Sequence, residues 1–217
     1  MASLAALVTG GTGRLGSAIA ARLEAEGFRV EAVGRRDGDL SRAGDARSLV
    51  ERAAAELGGL DLLVNAASAG FVPKPVEEVD EADWDAALGA TAKGSFFVTQ
   101  AAVPHLRRSA LGLVVMIEDV AAYQPWPSFA PHCAAKAAQA MLTRVLARAL
   151  APDVRVCGIA PGPVAVEPDQ AERRAAETLL GRVGSPDDVA DAVLFLTRAG
   201  FITGTTIVVD GGRLLHL

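Results

Sequence analysis

Short apolar runs alternate with segments of helical period along the whole chain. Runs with strand character fall at Leu4–Val8, Arg29–Val33, Leu60–Val64, Leu113–Ile117, Val154–Ile159 and Thr206–Val209. Between most of them apolar residues recur every three or four positions, which predicts helices over Leu15–Glu26, Ala46–Leu57, Glu81–Ala90, Ser95–Arg107, His132–Leu150, Gln170–Leu180 and Asp187–Arg198. This alternation predicts an α/β fold with a largely parallel sheet, because parallel neighbours are joined by long, usually helical, crossovers. The start of the last helix is the best-specified boundary, with Ser185 as N-cap, Pro186 at the first helical position and Asp188 where a capping-box acid sits. Only Gly34 to Gly38 separate the second run from Asp39-Leu40. A helical crossover needs at least about ten residues, so one helix is missing there and six strands are expected rather than seven.

Composition narrows the class. A chain of 217 residues, 51% apolar and 22% charged, predicts one globular domain over 1–217 with a core that needs no disulfide or metal staple. Cys133 and Cys157 lack metal-ligand or CxxC spacing, so no metal site and a reduced, cytoplasmic setting are expected, with a disulfide between them as the other possibility. The net charge of −5, without a Lys/Arg-rich run, argues against a nucleic-acid surface. No apolar segment approaches the ~20 residues that span a bilayer, and the opening MASLAALVTG has neither a basic stretch nor a separate cleavage site, so membrane and secreted readings are not favoured.

The first apolar run leads into Thr9-Gly10-Gly11-Thr12-Gly13-Arg14-Leu15-Gly16 and then directly into a predicted helix. A glycine turn in that position lets backbone N–H groups approach a pyrophosphate, and the helix N-terminus favours its charge. Strand, glycine turn and helix in this order point to a dinucleotide; a ligand-free turn is the plainer alternative. The second run ends in Val33-Gly34-Arg35-Arg36, where NAD-preferring folds usually place a carboxylate. Two forked guanidinium groups suit a ribose 2′-phosphate, so NADP(H) is the expected coenzyme, unless Arg35 and Arg36 are only solvated loop residues beside Asp37.

Four motifs in order, TGGTGRLG at Thr9–Gly16, LLVNAAS at Leu62–Ser68, IAPGPV at Ile159–Val164 and ITGTTIVVDGG at Ile202–Gly212, make the chain resemble the short-chain dehydrogenase/reductase family over nearly its whole length. The resemblance implies a doubly wound Rossmann sheet, a homo-oligomer (tetramer or dimer), a small-molecule substrate, and hydride transfer between NAD(P) and a carbonyl, alcohol or imine. By the same resemblance the coenzyme is held by Gly10, Thr12, Arg14, Leu15, Gly16, Arg35, Arg36, Asp39, Leu40, Asn65, Ala66, Ala67, Lys136, Pro161, Gly162 and Val164. Arg14 in place of the usual glycine, an acid at the catalytic serine position (Glu118-Asp119) and Gln124-Pro125 are similar to the pteridine reductase branch. A pterin could then stack against Phe71 or Phe129, for which simple packing is the plainer reading.

The family's Tyr-x-x-x-Lys corresponds here to His132-Cys133-Ala134-Ala135-Lys136. Residues four apart share a helix face, so His132 and Lys136 remain neighbours. The usual serine, tyrosine and helix asparagine correspond to Asp119, His132 and Thr91, and the second Asn of the NNAG-like motif to Ala66. His132 is one candidate acid, being able to donate near neutral pH once protonated. Asp119 is another, if an apolar pocket keeps it protonated. Lys136 retains the ribose. Tyr123, the sole tyrosine, is a remoter substitute acid or a lip aromatic. Two functions follow: an NADPH-dependent reductase of a carbonyl or imine, pterin-like in one form, or a coenzyme-binding sensor or partner subunit without hydride transfer. The apolar tail Leu214-Leu215-His216-Leu217 is expected at a subunit contact or against its own subunit.

Overall fold

The computed structural model describes residues 3–70 and 72–216. Its centre is a six-stranded, wholly parallel sheet in the order β2-β1-β3-β4-β5-β6. The strands are β1 (Ala5–Thr9), β2 (Arg29–Val33), β3 (Leu62–Asn65), β4 (Leu113–Ile117), β5 (Arg155–Pro161) and β6 (Thr206–Val209). Each lies within a residue or two of its apolar run. The helices are α1 (Arg14–Ala25), α2 (Ala43–Leu57), α3 (Glu81–Leu88), α4 (Gly94–Leu106), α5 (Ala130–Leu150), α6 (Ala171–Ala175) and α7 (Pro186–Arg198).

Strand alternation sorts the core into two layers. Ala6 and Val8 of β1, with Leu113, Val115 and Ile117 of β4, meet Ile19 and Leu23 of α1 and Val189 and Val193 of α7. Ala5 and Leu7, with Val114 and Met116, meet Leu49 and Val50 of α2, Val98 and Ala102 of α4, and Leu146 and Leu150 of α5. Both faces of the central strands are buried, which is why they read as unbroken apolar runs. The outer strands β2 and β6 are only partly covered.

The interval after β2 holds neither helix nor further strand before α2, as its length requires. At the start of α7, Ser185 accepts from Asp188 N and Asp188 from Ser185 N, completing the capping box. Two expectations are corrected. The helices placed over Glu81–Ala90 and Ser95–Arg107 are joined through a π-helical turn, Gly89–Lys93. The helix placed over Gln170–Leu180 shrinks to α6, preceded by a 3-10 turn, Pro168–Gln170. No helix among the described residues is long and apolar enough to cross a membrane.

Candidate active site

The chain leaves β1 toward β2 on one side and returns through α2 to β3 on the other. The crevice beyond the carboxyl ends of β1 and β3 is thus the topological switch point, where doubly wound sheets take their ligands. The glycine turn occupies it. Gly10 has φ +68°, and a Cβ there would lie 2.7 Å from the carbonyl carbon of Ala66. A Cβ on Gly11 would lie 2.7 Å from Ala32 Cβ. Thr9 Oγ1 accepts from Ala67 N (3.3 Å), tying the turn to the segment after β3. Gly13, the N-cap of α1, offers no side chain to the first-turn N–H groups, which therefore face the crevice as a phosphate cradle requires. On these observations the turn fits the pyrophosphate of a dinucleotide.

Thr12 packs over the end of β2, where a Cβ on Gly34 would meet its Oγ1 at 2.5 Å. Asp37 is absorbed in the following turn, its carboxylate accepting from Gly34 N (2.7 Å), and Arg35 and Arg36 are exposed beside it. Asp39 accepts from both Ser41 N and Ser41 Oγ, and these bonds hold its carboxyl below the ordinary range. Leu40 packs on the sheet's core cluster and close to Gly94 of α4. Asn65 spends its amide on Thr99 (3.0 Å) and Met116, anchoring β3 to α4 and β4. Ala66 and Ala67 follow it, half-buried at the crevice wall. Across the crevice, Gly162 N donates to Val209 O (3.0 Å) and Val164 bridges to Gly184. Arg14 starts α1, next to Leu15 and Gly16, and reaches this side, donating to Ala165 O (2.8 Å) and pairing with Glu167.

Helix α5 carries the second half of the site. His132, Lys136, Gln139 and Thr143 fall on one buried face, with His132 5% and Lys136 4% exposed. Lys136 Nζ donates to Ile117 O (2.8 Å) and Gln139 Oε1 (3.1 Å). Gln139 in turn donates to Ser95 Oγ (2.8 Å), and Ser95 to Thr91 O (2.5 Å) within the π-helical turn. Burial lowers the Lys136 ammonium from its ordinary value to about 8, against the opposing pull of Asp119 and Glu118.

Asp119 accepts from Ala121 N (2.8 Å) through one oxygen, capping the turn after β4. Its other oxygen lies 3.2 Å from His132 Nε2. The structure thus brings Asp119, His132 and Lys136 together. His132 and Thr91 line an adjoining cleft that also carries the Lys74–Asp83 ion pair (2.5 Å). Phe129 also lines it, whereas Phe71 lies outside the described residues.

Tyr123 is placed elsewhere. Its hydroxyl donates to Glu118 Oε2 (2.9 Å), and burial raises its pKa above the ordinary range. Glu118, 2% exposed, also accepts from Thr143 (2.7 Å) and Thr206 (3.0 Å). In sequence Glu118 is named only together with Asp119 at the serine position and has no role of its own, although the period of two along β4 puts it on the α5 side with Val114 and Met116. Trp126, whose ring stacks on His132 at 6.3 Å between centroids, is not singled out from sequence. Both cysteines are free thiols.

The family model described as enoyl-(acyl carrier protein) reductase matches residues 17–213. A protein assigned as ketoacyl reductase 2 of the granaticin polyketide synthase of Streptomyces violaceoruber is 37% identical, with 95% of this chain and 94% of that protein covered. Dehydrogenase/reductase SDR family member 4 of Homo sapiens is 34% identical, covering 98% and 88%. Among solved structures, the 3-ketoacyl-(acyl-carrier-protein) reductase of Brucella melitensis complexed with NADH superposes with a TM-score of 0.90 at 28% identity, covering 97% of this chain and 98% of that one.

Proposed function

Because the chain belongs to the short-chain dehydrogenase/reductase family, an oxidoreductase family with nicotinamide-binding members, we propose that it is an NADPH-dependent reductase of a carbonyl or imine substrate with His132 as proton donor. The carrying observation is the buried face of α5, where His132 and Lys136 stand one turn apart with Asp119 at 3.2 Å from the imidazole. When bound, the reduced nicotinamide supplies a hydride to the electrophilic carbon. His132 releases the proton that the oxygen or nitrogen of the substrate takes up as its bond order falls. An ionised carboxylate only accepts, so Asp119 fixes which imidazole nitrogen carries a proton and stabilises the imidazolium. Lys136 would hold the nicotinamide ribose.

Gly10, Thr12, Arg14, Leu15 and Gly16 would hold the pyrophosphate. Asp39 and Leu40 would lie at the adenine, and Asn65, Ala66, Ala67, Pro161, Gly162 and Val164 around the nicotinamide. Arg35 and Arg36 support the preference for NADP(H): both are exposed at the end of β2, where Asp37 is already engaged by the backbone. Charge reversal at both, Arg35→Glu with Arg36→Glu, is expected to weaken NADPH binding by ~10²–10⁴-fold and NADH binding far less, since each lost charge-assisted hydrogen bond is worth about 1.5–3 kcal/mol. Fluorescence titration with both coenzymes checks this; equal losses for the two would remove the arginines from the argument.

A pterin-like substrate is the narrower reading, supported by Arg14, Asp119 and Gln124-Pro125 and by Phe129 at the cleft. Assembly into a dimer or tetramer in the cytoplasm belongs to the same proposal, supported by exposed Met141 and Val145 on α5 and by the free thiols. The deciding experiment is NADPH oxidation with menadione, aromatic aldehydes and dihydrobiopterin. His132→Ala is expected to lower turnover by ~10²–10⁴-fold while leaving NADPH affinity unchanged. Undiminished turnover in that variant would remove His132 from the chemistry. NADPH binding without turnover of any acceptor would favour the sensor or partner-subunit reading instead.

A further inference from the structure

Glu118 is a carboxylate only 2% exposed, and the proposed proton transfer does not use it. Four elements close around it. Thr143 of α5 donates to Oε1 (2.7 Å), while Thr206 of β6 (3.0 Å) and Tyr123 (2.9 Å) donate to Oε2. Strand β5 leaves the space, since a Cβ on Gly158 would lie 2.6 Å from Glu118 Cδ and 2.7 Å from Thr206 Oγ1. An ionised carboxylate only accepts, and all three partners are hydroxyl donors, so the cage suits the anion.

A buried anion is costly without a cation to answer it, and the helix that encloses this one supplies a cation. Lys136, two turns before Thr143 on the same buried face of α5, donates to Ile117 O (2.8 Å), the carbonyl directly before Glu118. Gln139 links the two positions. Its Oε1 accepts from Lys136 Nζ (3.1 Å), and its backbone oxygen lies 3.4 Å from Thr143 Oγ1. Ammonium and carboxylate thus end one chain of polar contacts along the interface of α5 with β4. Burial lowers the Lys136 pKa, and Asp119 first and Glu118 second act to raise it. His132 shares the helix face and pairs with Asp119. The other charges around α5 are engaged or exposed: Asp83 of α3 holds Lys74, Arg155 of β5 donates to Leu196 O and Ala199 O, and Glu81, Asp85, Lys93 and Arg144 are exposed.

We propose that Glu118 is a positioning residue whose fixed negative charge keeps Lys136 in the cationic form that grips the coenzyme ribose. The inference rests on the reading of Lys136 as the ribose-holding residue.

The test follows denaturant midpoints of Glu118→Gln and the unaltered protein between pH 7 and 9 without coenzyme, repeats the comparison in the Lys136→Met background, and titrates the first two with NADPH. Burial raises the Tyr123 pKa, so the phenol stays protonated over this range. Lys136 of the unaltered protein releases its proton through about pH 8. Without the Glu118 charge it does so at a pH lower by roughly 0.5–1, less than an opposite charge in direct contact would give. The stability deficit of Glu118→Gln is therefore expected to be largest at pH 7 and to shrink toward pH 9. In the Lys136→Met background it is expected to be constant, whereas a trend arising at His132 or Asp119 would survive there. NADPH binding by Glu118→Gln is expected to be weaker by less than about 2-fold at pH 7 and by roughly 3–10-fold at pH 9. A deficit with the same pH dependence in both backgrounds would show a structural cage only and overturns the proposal. A deficit that shrinks while NADPH affinity stays flat in both proteins supports the charge coupling and defeats the ribose reading alone. Should Glu118→Gln fail to fold at pH 7, folding at pH 9, where Lys136 is neutral, supports the proposal, and failure at both overturns it.

Discussion

Gly16→Ala is expected to abolish measurable NADPH binding and to lower the unfolding midpoint by several degrees. The added Cβ would penetrate the van der Waals shell of Gly10 O and stand 2.7 Å from Gly10 C and 2.9 Å from Gly11 Cα. These are backbone atoms of the glycine turn, so no rotamer change relieves the clash. Gly10 has little room to retreat, because a Cβ built on it would already lie 2.7 Å from Ala66 C and 2.8 Å from Ala67 N. The turn must therefore open away from α1, and the helix N-terminus loses its alignment with the anion. Overpacking of this kind costs about 1–3 kcal/mol of stability, which for a domain of this size lowers the midpoint by roughly 2–4 °C per kcal/mol. The coenzyme loss is larger, at least ~100-fold, since several charge-assisted hydrogen bonds go together. Gly44→Ala is the control, as a Cβ there meets nothing within 4 Å. Titration calorimetry and thermal denaturation check both. Tight NADPH binding by Gly16→Ala would show that the crevice beyond β1 is not where the coenzyme lies.

Most of this frame was readable before any coordinates because its signals are local. Central strands buried on both faces leave uninterrupted apolar runs, and a missing crossover shows as a loop too short to hold one. The failures have equally physical causes. The segment Gln170–Leu180 has helical period, yet Thr178 turns its hydroxyl to Ala175 O and Arg182 O, Gly181 has φ +64°, and Leu179 and Leu180 remain exposed. Local side-chain bonds there compete with the helix, and no core rewards the apolar residues for forming one. The π-helical turn Gly89–Lys93 is set by tertiary contact, with Gly94 close against Leu40 and Thr91 bonded to Ser68 (3.1 Å). In the site, the pair His132 and Lys136 was visible as a helix-face spacing, and Asp119 through a motif. Trp126 and Arg213 meet only through the fold, from a loop before α5 and a turn after β6, and no spacing rule connects them.

Lys136 should make the protein pH-sensitive where an exposed lysine would not, with opposite signs for function and stability. Its ammonium is buried, and desolvation lowers its pKa from 10.5 to about 8. If the charged form holds the ribose, coenzyme affinity and turnover both fall as the pH rises through about 8. Stability moves the other way. Below about 8 both the folded and the unfolded chain carry the proton, and the fold bears the full cost of burying it. Between about 8 and 10.5 the folded chain has released the proton and the unfolded chain has not, so stability rises with pH, by about 3 kcal/mol in all. Lys136→Met removes both slopes. It also strips a donor from Ile117 O and Gln139 Oε1, so below pH 8 its stability reflects a lost burial cost set against two unsatisfied acceptors. The variant is expected to lose at least ~100-fold in turnover, as when a preorganised donor is removed from an active site. Denaturant midpoints of the two proteins at pH 7, 8.5 and 10 give the test, because the difference between them cancels every other titrating group. That difference must grow in favour of the unaltered protein as the pH rises. A constant difference, with NADPH affinity flat across the same range, would mean that Lys136 titrates as an ordinary lysine and that its burial does not tune the site.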